Sequence, residues 1–188
     1  MEGVEVSVLD DEGNKVPDGV EGEICALGEF DTVYFKDPER TAKAMLRHPD
    51  GKTLVRTGDI GYVDEDGFVF LQGRAKRMFM DWFGFKMFPA AIENVMALSE
   101  DVEYTCVVPV QNTENIRGFV PFAFYTVKPT CKKSEQELNA EITAICQKEL
   151  PEYMQPKYLK KLDEMPRTPI GKTDFVALEK KAAELAKK

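Results

Sequence analysis

The chain has 188 residues and a formal net charge of −8, with a sequence pI of about 4.9. Its 43% hydrophobic and 31% charged residues are typical of an ordinary globular protein of one or two domains. The acidic excess argues against general binding to nucleic acid or to anionic membranes, while a local basic site for a nucleotide stays compatible with it.

Reactive residue types are few. The single histidine, His48, lies in the polar stretch RHPDGK, so neither a metal site nor a Ser/His triad is expected. No signal peptide or long apolar run is present, which predicts a cytoplasmic protein without a transmembrane segment. The cysteines lack CxxC spacing and are expected to be free thiols: Cys25, Cys106, Cys131 and Cys146.

The first part of the chain has β-rich patterning. Alternating valines in VEVSVL predict a strand followed by a turn, and EGEICAL predicts a second strand. DPERTAKAML predicts a short helix with Asp37 as N-cap and Pro38 at its first position. GYVDEDGFVFLQG predicts a hairpin around Asp-Glu-Asp-Gly. Because the chain begins inside a strand pattern, we expect it to be a piece of a longer protein.

A charged connector without apolar anchors follows at GRAKR, residues 73–77, and predicts a domain boundary. Beyond it, MFMDWFGFKMF is typical of a hairpin around Gly84, PAAIENVMAL of a helix, and VEYTCVVPV and FVPFAFYTV of strands. The predicted fold class is α+β, with a β-rich segment over residues 1–73, a hinge over 74–77 and a small α+β domain over 78–188.

The last third of the chain predicts two further helices around a short strand, PKYLKKL. In SEQELNAEITAICQKEL, Ser134 and Glu137 have the spacing of a capping box, and Pro151 ends the helix. The tail DFVALEKKAAELAKK predicts a helix with cations near its C-terminus. The buried stripe of the first of these helices is expected to contain Leu138, Ile142, Ile145 and Cys146.

The stretch MPRTPIGKTDF raises the question of what Lys172 contacts. The letters GKT suggest a phosphate-binding loop, but that motif needs a glycine where Pro166 stands. Pro166 and Pro169 have no N–H to offer a phosphate. Lys172 instead follows a stiff, extended proline-containing segment and the flexible residue Gly171. Such a setting lets the lysine side chain reach a target elsewhere in the protein. Taken alone, Lys172 is weak evidence for such a role, because most lysines are solvated.

Two other stretches could carry chemistry. Asp59 follows Gly58 at a turn that enters a strand, where a carboxylate can accept hydrogen bonds from a vicinal diol or simply bond its own backbone. Arg74 is either a surface arginine or a phosphate or ribose contact. In MFMDWFGFKMF, aromatic residues crowd Gly84, which is compatible with a tight turn or with a loop where a thin ligand chain passes close to the backbone.

Five motifs in order resemble the C-terminal part of the acyl-adenylate-forming enzymes, which include acyl-CoA synthetases, peptide-synthetase adenylation domains and luciferases. RTGDIGYVDEDGFVFLQGR is similar to the family's TGD…DG…GR signature, and MPRTPIGKTD to its P-x-T-x-x-G-K segment. The other three are GEICALGEFDTVYFKDPERTA, GFKMFPAAIENV and LPEYMQPKYL. The match covers nearly the whole chain, and its β-rich start would be the end of the family's large domain.

The resemblance implies a role for each candidate. Lys172 would neutralise charge while a carboxylate attacks the α-phosphate of ATP. Asp59 would hold the ribose hydroxyls of the nucleotide, and Arg74 would contact its ribose or phosphate side. Lys76 would be the hinge of a mobile lid. Phe83, Gly84 and Phe85 would line the pantetheine channel of CoA. ATP, Mg²⁺, CoA, a carboxylic acid and a missing N-terminal domain of the same chain are the implied cofactors and partners.

Three departures from the family pattern stand out. The stretch from Arg74 to Gly84 is one residue longer, and Ala91 stands where glutamate is common, although Glu93 is kept. The family's Ser/Thr/Gly-rich phosphate loop, acyl pocket and adenine wall have no counterpart in these residues. An acyl-CoA synthetase fragment, inactive alone, is therefore the leading hypothesis. The alternatives are an adenylation domain that loads a carrier-protein thiol and a non-catalytic nucleotide or CoA binding module.

Overall fold

The computed structural model describes residues 3–112 and 118–187. The chain forms two compact units, residues 1–76 and 77–188. The division between the units falls after Lys76, inside the segment 74–77, while the function of that segment as a hinge stays a prediction. Both units combine strands with helices, so the predicted α+β class is confirmed.

The first unit is built on an antiparallel sheet. The long strand β4 pairs with β2 along one edge, and its other edge carries β3 at the start and β5 at the end. β1 adds to the far side of β2. The strands are β1 (Glu5–Leu9), β2 (Gly22–Gly28), β3 (Met45–Arg47), β4 (Thr53–Val63) and β5 (Val69–Arg74).

One short helix, α1 (Pro38–Ala44), belongs to this unit, and its start is as predicted. The Asp37 carboxylate accepts a hydrogen bond of 2.9 Å from the Arg40 amide. The predicted helix ran two residues further, which is wrong. Met45 takes an extended conformation and pairs with Val55, because residues 45–47 join the sheet beside β4 instead of continuing the helix.

The second unit contains a three-stranded sheet with β9 in the centre. β9 is antiparallel to β8 and parallel to β10. A separate two-stranded hairpin precedes the sheet. The strands are β6 (Phe79–Met80), β7 (Lys86–Met87), β8 (Val102–Gln111), β9 (Phe119–Val127) and β10 (Tyr158–Lys161), and the helices are α2 (Pro89–Met96), α3 (Glu135–Glu149) and α4 (Phe175–Leu185).

Helices cover both faces of this sheet. On one face, Ala123 and Tyr125 of β9 pack in a core with α2, α3 and the β6–β7 hairpin. On the other face, Phe122 and Phe124 pack in a second core with α4. The nearly continuous apolar pattern FVPFAFYTV is therefore that of a strand buried on both sides.

Helix α3 follows the prediction closely. The Ser134 hydroxyl accepts from the Glu137 amide at 3.3 Å, and the Glu137 carboxylate accepts from the Ser134 amide at 2.8 Å, which completes the capping box. Leu138, Ile142 and Cys146 are fully buried, whereas Ile145 is only partly so.

The connector is better anchored than its sequence indicates. Residues Ala75–Arg77 form a single 3₁₀ turn, and the Arg77 guanidinium lies 4.0 Å from the centre of the Phe175 ring. The connector was expected to lack apolar contacts, but its last residue, Arg77, makes one. An arginine can do so because its planar guanidinium stacks on an aromatic ring.

Within the described residues, the helices are too short and too polar to cross a lipid bilayer.

The capping box yields a stability prediction. Ser134→Ala removes the oxygen that accepts from the Glu137 amide, and we expect the free energy of unfolding to fall by about 1 kcal/mol. Urea unfolding followed by the fluorescence of Trp82, the only tryptophan, measures it. The control is Thr143→Ala at an exposed position of the same helix, expected within about 0.5 kcal/mol of wild type. Equal losses in both variants would contradict the assigned role of the cap.

Candidate functional site

The first candidate site is a bulge in β4 of the first unit. Cys25 pairs with Arg56 and Ile24 pairs with Asp59, so Thr57 and Gly58 lie outside the ladder between β2 and β4. The Thr57 hydroxyl donates to the Ile24 carbonyl at 2.6 Å and accepts from the Asp59 amide at 3.0 Å. These bonds give the bulge one defined conformation, and Asp59 is the first residue after it.

A largely buried carboxylate supports the bulge from the neighbouring strand. Glu23 accepts the Gly58 amide at 2.9 Å and the Arg56 Nε at 2.6 Å, and it also pairs with the terminal nitrogen of Arg56. Its side chain is only 13% exposed. Hydrogen bonding to Glu23 raises the pKa of the Arg56 guanidinium. One carboxylate therefore connects β2 to both sides of the bulge.

Asp59 and Arg74 lie opposite each other on β4 and β5. The Arg74 Nε is 2.9 Å from the Asp59 Oδ1, and another Arg74 nitrogen donates to the Thr57 carbonyl at 2.6 Å. The Asp59 side chain is 25% exposed and that of Arg74 is 60% exposed. A carboxylate and a guanidinium each have more hydrogen-bonding capacity than these contacts use, so the pair can still bind a polyhydroxylated, anionic ligand.

The second candidate site is the tip of the β6–β7 hairpin, whose prediction is confirmed. The Asp81 carboxylate accepts from the Phe83 and Phe85 amides, both at 2.8 Å. Gly84 has φ +86°, and a Cβ placed on it would meet nothing within 4 Å. Backbone conformation, and not crowding, is therefore what favours glycine here.

A groove of about 550 Å³ adjoins this hairpin. Phe85 stacks on Tyr153 with ring centres 5.1 Å apart. Phe83 remains 79% exposed at the edge of the groove. The groove combines aromatic side chains with a lysine, and its lining includes Trp82, Phe83, Phe85, Phe119, Tyr153 and Lys157.

The third candidate site is the turn that carries Lys172. The Thr168 amide donates to the Lys172 carbonyl at 2.7 Å, and the Gly171 amide donates to the Thr168 carbonyl at 2.8 Å. Gly171 has φ +80°, which glycine adopts without strain. The segment expected to be a flexible joint is therefore a hydrogen-bonded turn, and it presents an exposed lysine.

The second and third sites lie on opposite sides of the same sheet. Phe79 and Met87 of the hairpin belong to the core that contains α2 and α3. Met165, just before the Lys172 turn, and Leu178, just after it, belong to the core that contains α4. Asp59 and Arg74 belong to the other unit, and Lys76 lies in the turn at the division between the units.

Three of the four cysteines are poor nucleophiles. Burial raises the pKa of the Cys25 and Cys146 thiols to about 11 and that of the Cys106 thiol to about 12. All three thiols are therefore protonated near neutral pH.

Sequence reasoning missed three contributors. Glu23 and Arg56 support the Asp59 bulge, but they are 33 residues apart, and only the strand register brings them together. Tyr153 was part of a recognised motif, LPEYMQP, yet its stacking on Phe85 joins residues that no spacing rule connects.

The chain belongs to a known family. Residues 91–172 match the family described as the AMP-binding enzyme C-terminal domain, so the chain carries the C-terminal domain of an adenylate-forming enzyme. This shows the resemblance inferred from the five motifs to be correct.

Its relatives include proteins named as ligases and proteins named as synthases. The chain is 32% identical over 161 residues, 85% of its length, to 3-[(3aS,4S,7aS)-7a-methyl-1,5-dioxo-octahydro-1H-inden-4-yl]propanoyl:CoA ligase of Rhodococcus jostii strain RHA1, and covers 29% of that protein. It is 33% identical over 171 residues, 90% of its length, to fatty acid–[acyl-carrier-protein] ligase ScoC of Streptomyces coeruleorubidus, and covers 31% of it.

A solved structure agrees with these relatives. The anthranilate CoA ligase AuaEII, in complex with anthranoyl-AMP, has a TM-score of 0.82 and is 27% identical, and the match covers 100% of this chain and 35% of that one. The chain thus spans about a third of the length of each of these three proteins.

The bulge yields a prediction about Glu23. Glu23→Gln keeps the shape of the side chain but removes the charge that Arg56 and the Gly58 amide share, and we expect the local stability of the bulge to fall by about 1–3 kcal/mol. Amide hydrogen exchange at Gly58 and along the β2–β4 ladder measures it.

The matched control is Glu39→Gln, which neutralises an exposed carboxylate paired with Lys43 on α1. Its expected effect is within about 0.5 kcal/mol, because exposed ion pairs contribute little. Unchanged protection at Gly58 in Glu23→Gln would show that Glu23 does not support the bulge.

Proposed function

We propose that this chain is the C-terminal part of an ATP-dependent acyl-CoA synthetase. The full-length protein would join a carboxylic acid to AMP with release of pyrophosphate, and then transfer the acyl group to the thiol of CoA. The observation that carries the proposal is that the Gly84 hairpin and the Lys172 turn are anchored in the cores on opposite faces of one sheet. A mobile domain with two such faces can serve two half-reactions in turn.

Lys172 would act in the first half-reaction. There a carboxylate oxygen forms a bond to the α-phosphorus of ATP, and the bond from that phosphorus to the pyrophosphate oxygen breaks. Negative charge increases on the transferring group and on the leaving group, and an ammonium placed against it lowers the barrier. The hydrogen bonds of the turn favour this role, because a fixed backbone limits the positions open to the lysine head.

Asp59 and Arg74 would hold the nucleotide. Asp59 would accept hydrogen bonds from the vicinal ribose hydroxyls, and Arg74 would both orient Asp59 and contact the ribose or phosphate side. Their existing ion pair supports this arrangement, since each partner is already fixed before the ligand arrives. Glu23 would contribute indirectly, by holding the bulge from which Asp59 projects.

The Gly84 hairpin would act in the second half-reaction. There the CoA sulfur forms a bond to the carbonyl carbon of the acyl-adenylate, AMP leaves, and the thiol proton is lost. The absence of a side chain at Gly84 leaves open space beside the backbone, in which the thin pantetheine arm would fit. Phe83 and Phe85 would flank that arm, and the aromatic groove would give it an apolar wall.

Mg²⁺ would be bound with the ATP phosphates. In the described part of the chain, no three carboxylate, histidine or cysteine side chains converge as a metal site would require. We therefore assign no residue of this chain to Mg²⁺, and no step here depends on it.

Two alternatives remain. The relative from Streptomyces coeruleorubidus is named as a ligase that acts on an acyl-carrier protein, which favours a carrier-protein thiol as the second candidate acceptor. Supplying the acyl-adenylate with CoA or with a phosphopantetheine-bearing carrier separates the two. The other alternative, a binding module without catalysis, would show neither half-reaction in the full-length gene product.

We infer that residues 1–188 alone do not turn over, because the acyl pocket and the phosphate loop have no counterpart in this sequence. Kinetic experiments therefore need the full-length gene product.

Lys172→Ala tests the proposal. Pyrophosphate release over a panel of carboxylic acids should fall by about 10²–10³-fold, as for loss of one group that stabilises a transition state. Thioester formation from supplied acyl-adenylate and CoA should stay near wild type. The matched control is Lys180→Ala at an exposed position on α4, which should retain both activities. A Lys172→Ala variant that keeps full pyrophosphate release would overturn the assignment.

A further inference from the structure

We propose that Arg77 positions the Lys172 turn by fixing the start of α4 against α2 and β8. The side chain of Arg77, the first residue of the second unit, is 25% exposed, and that of its partner Glu93 is 16% exposed. Its effect on catalysis rests on the function proposed above. Its effect on the structure of the turn does not.

The first half of the argument concerns the polar contacts of Arg77. Its two terminal nitrogens lie 2.7 Å and 3.4 Å from the two Glu93 carboxylate oxygens, and one of them also donates to the Val107 carbonyl at 3.1 Å. Glu93 in turn accepts the Val107 amide at 2.8 Å. These bonds fix the plane of the guanidinium between α2 and β8.

The second half concerns the apolar face of the same group. The guanidinium carbon lies 4.0 Å from the centre of the Phe175 ring. Phe175 is the first residue of α4, so the stacked pair ties the beginning of that helix to α2 and β8. A stacking contact with a partly desolvated guanidinium is stronger than one at a fully exposed site.

From Phe175 the connection to Lys172 is short. The Asp174 amide donates to the Pro166 carbonyl at 2.8 Å, and Arg167 and Thr173 form an isolated β-bridge. The turn is thus closed at its base by the residues that precede α4. A displacement of Phe175 would displace both arms of the turn, and with them the lysine.

The Gly84 hairpin is anchored by other contacts. Phe79 and Met87 are buried in the core of the opposite face. Loss of the Arg77–Phe175 contact should therefore disturb the Lys172 turn more than the hairpin tip. Because Arg77 directly follows Lys76, rotation at the predicted hinge would also move the guanidinium and the turn together.

Two variants of the 188-residue chain test the inference. Arg77→Met removes every contact of the guanidinium, while Phe175→Leu removes the stacked ring and leaves the Glu93 ion pair intact. We expect amide hydrogen exchange at Gly171 and Asp174 to accelerate about tenfold in both variants, with little change at Phe124 in the central strand. In the double variant, the acceleration of exchange at Gly171 and Asp174 should be much smaller than the product of the accelerations in the two single variants.

The control variant is Lys133→Met, which removes a cation that bridges Asp101 and Glu141 elsewhere in the unit. It should leave exchange at Gly171 and Asp174 unchanged. Unchanged exchange there in Arg77→Met and Phe175→Leu, or an equal acceleration at Phe124, overturns the inference.

A kinetic experiment uses the full-length gene product. Phe175→Leu should slow pyrophosphate release about tenfold and thioester formation from supplied acyl-adenylate less than about twofold, a split that general destabilisation would not give. Equal slowing of both half-reactions overturns the proposed positioning role. If exchange at the turn accelerates selectively but Lys172→Ala releases pyrophosphate normally, the structural inference stands and the proposed function fails.

Discussion

The second unit depends on burial of the central strand β9 from both sides. Phe122 and Phe124 face one core, and Ala123 and Tyr125 face the other. Each of these cores holds a different candidate site at its margin, the Gly84 hairpin on one side and the Lys172 turn on the other. A sheet covered on only one face could not carry two sites in this way, so the packing of one strand underlies the two-faced geometry.

Local sequence signals predicted the fold well where local physics determines it. The capping box at Ser134, the N-cap at Asp37 and the hairpin around Gly84 each depend on residues only a few positions apart, and all three are present. The end of α1 was wrong, because pairing of Met45 with β4 is decided by a strand elsewhere in the chain.

The candidate site shows the same division. Asp59, Arg74, Gly84 and Lys172 could be selected from motifs, but the contacts that hold them could not. The support of the bulge by Glu23 depends on the register between β2 and β4. The cluster around Arg77 joins α2, β8 and α4, which are brought together only by the packing of the whole unit. Motif spacing selects candidate ligand contacts and leaves open which residues hold them in place.

The most direct test of the two-faced domain is to restrict the predicted hinge. Lys76→Pro in the full-length gene product fixes φ of that residue near about −65°, while Lys76→Ala leaves the backbone free. Both half-reactions are measured separately in each variant. We expect Lys76→Pro to retain one half-reaction and to lose the other, and Lys76→Ala to retain both. Retention of both half-reactions by Lys76→Pro would contradict the use of two faces in turn.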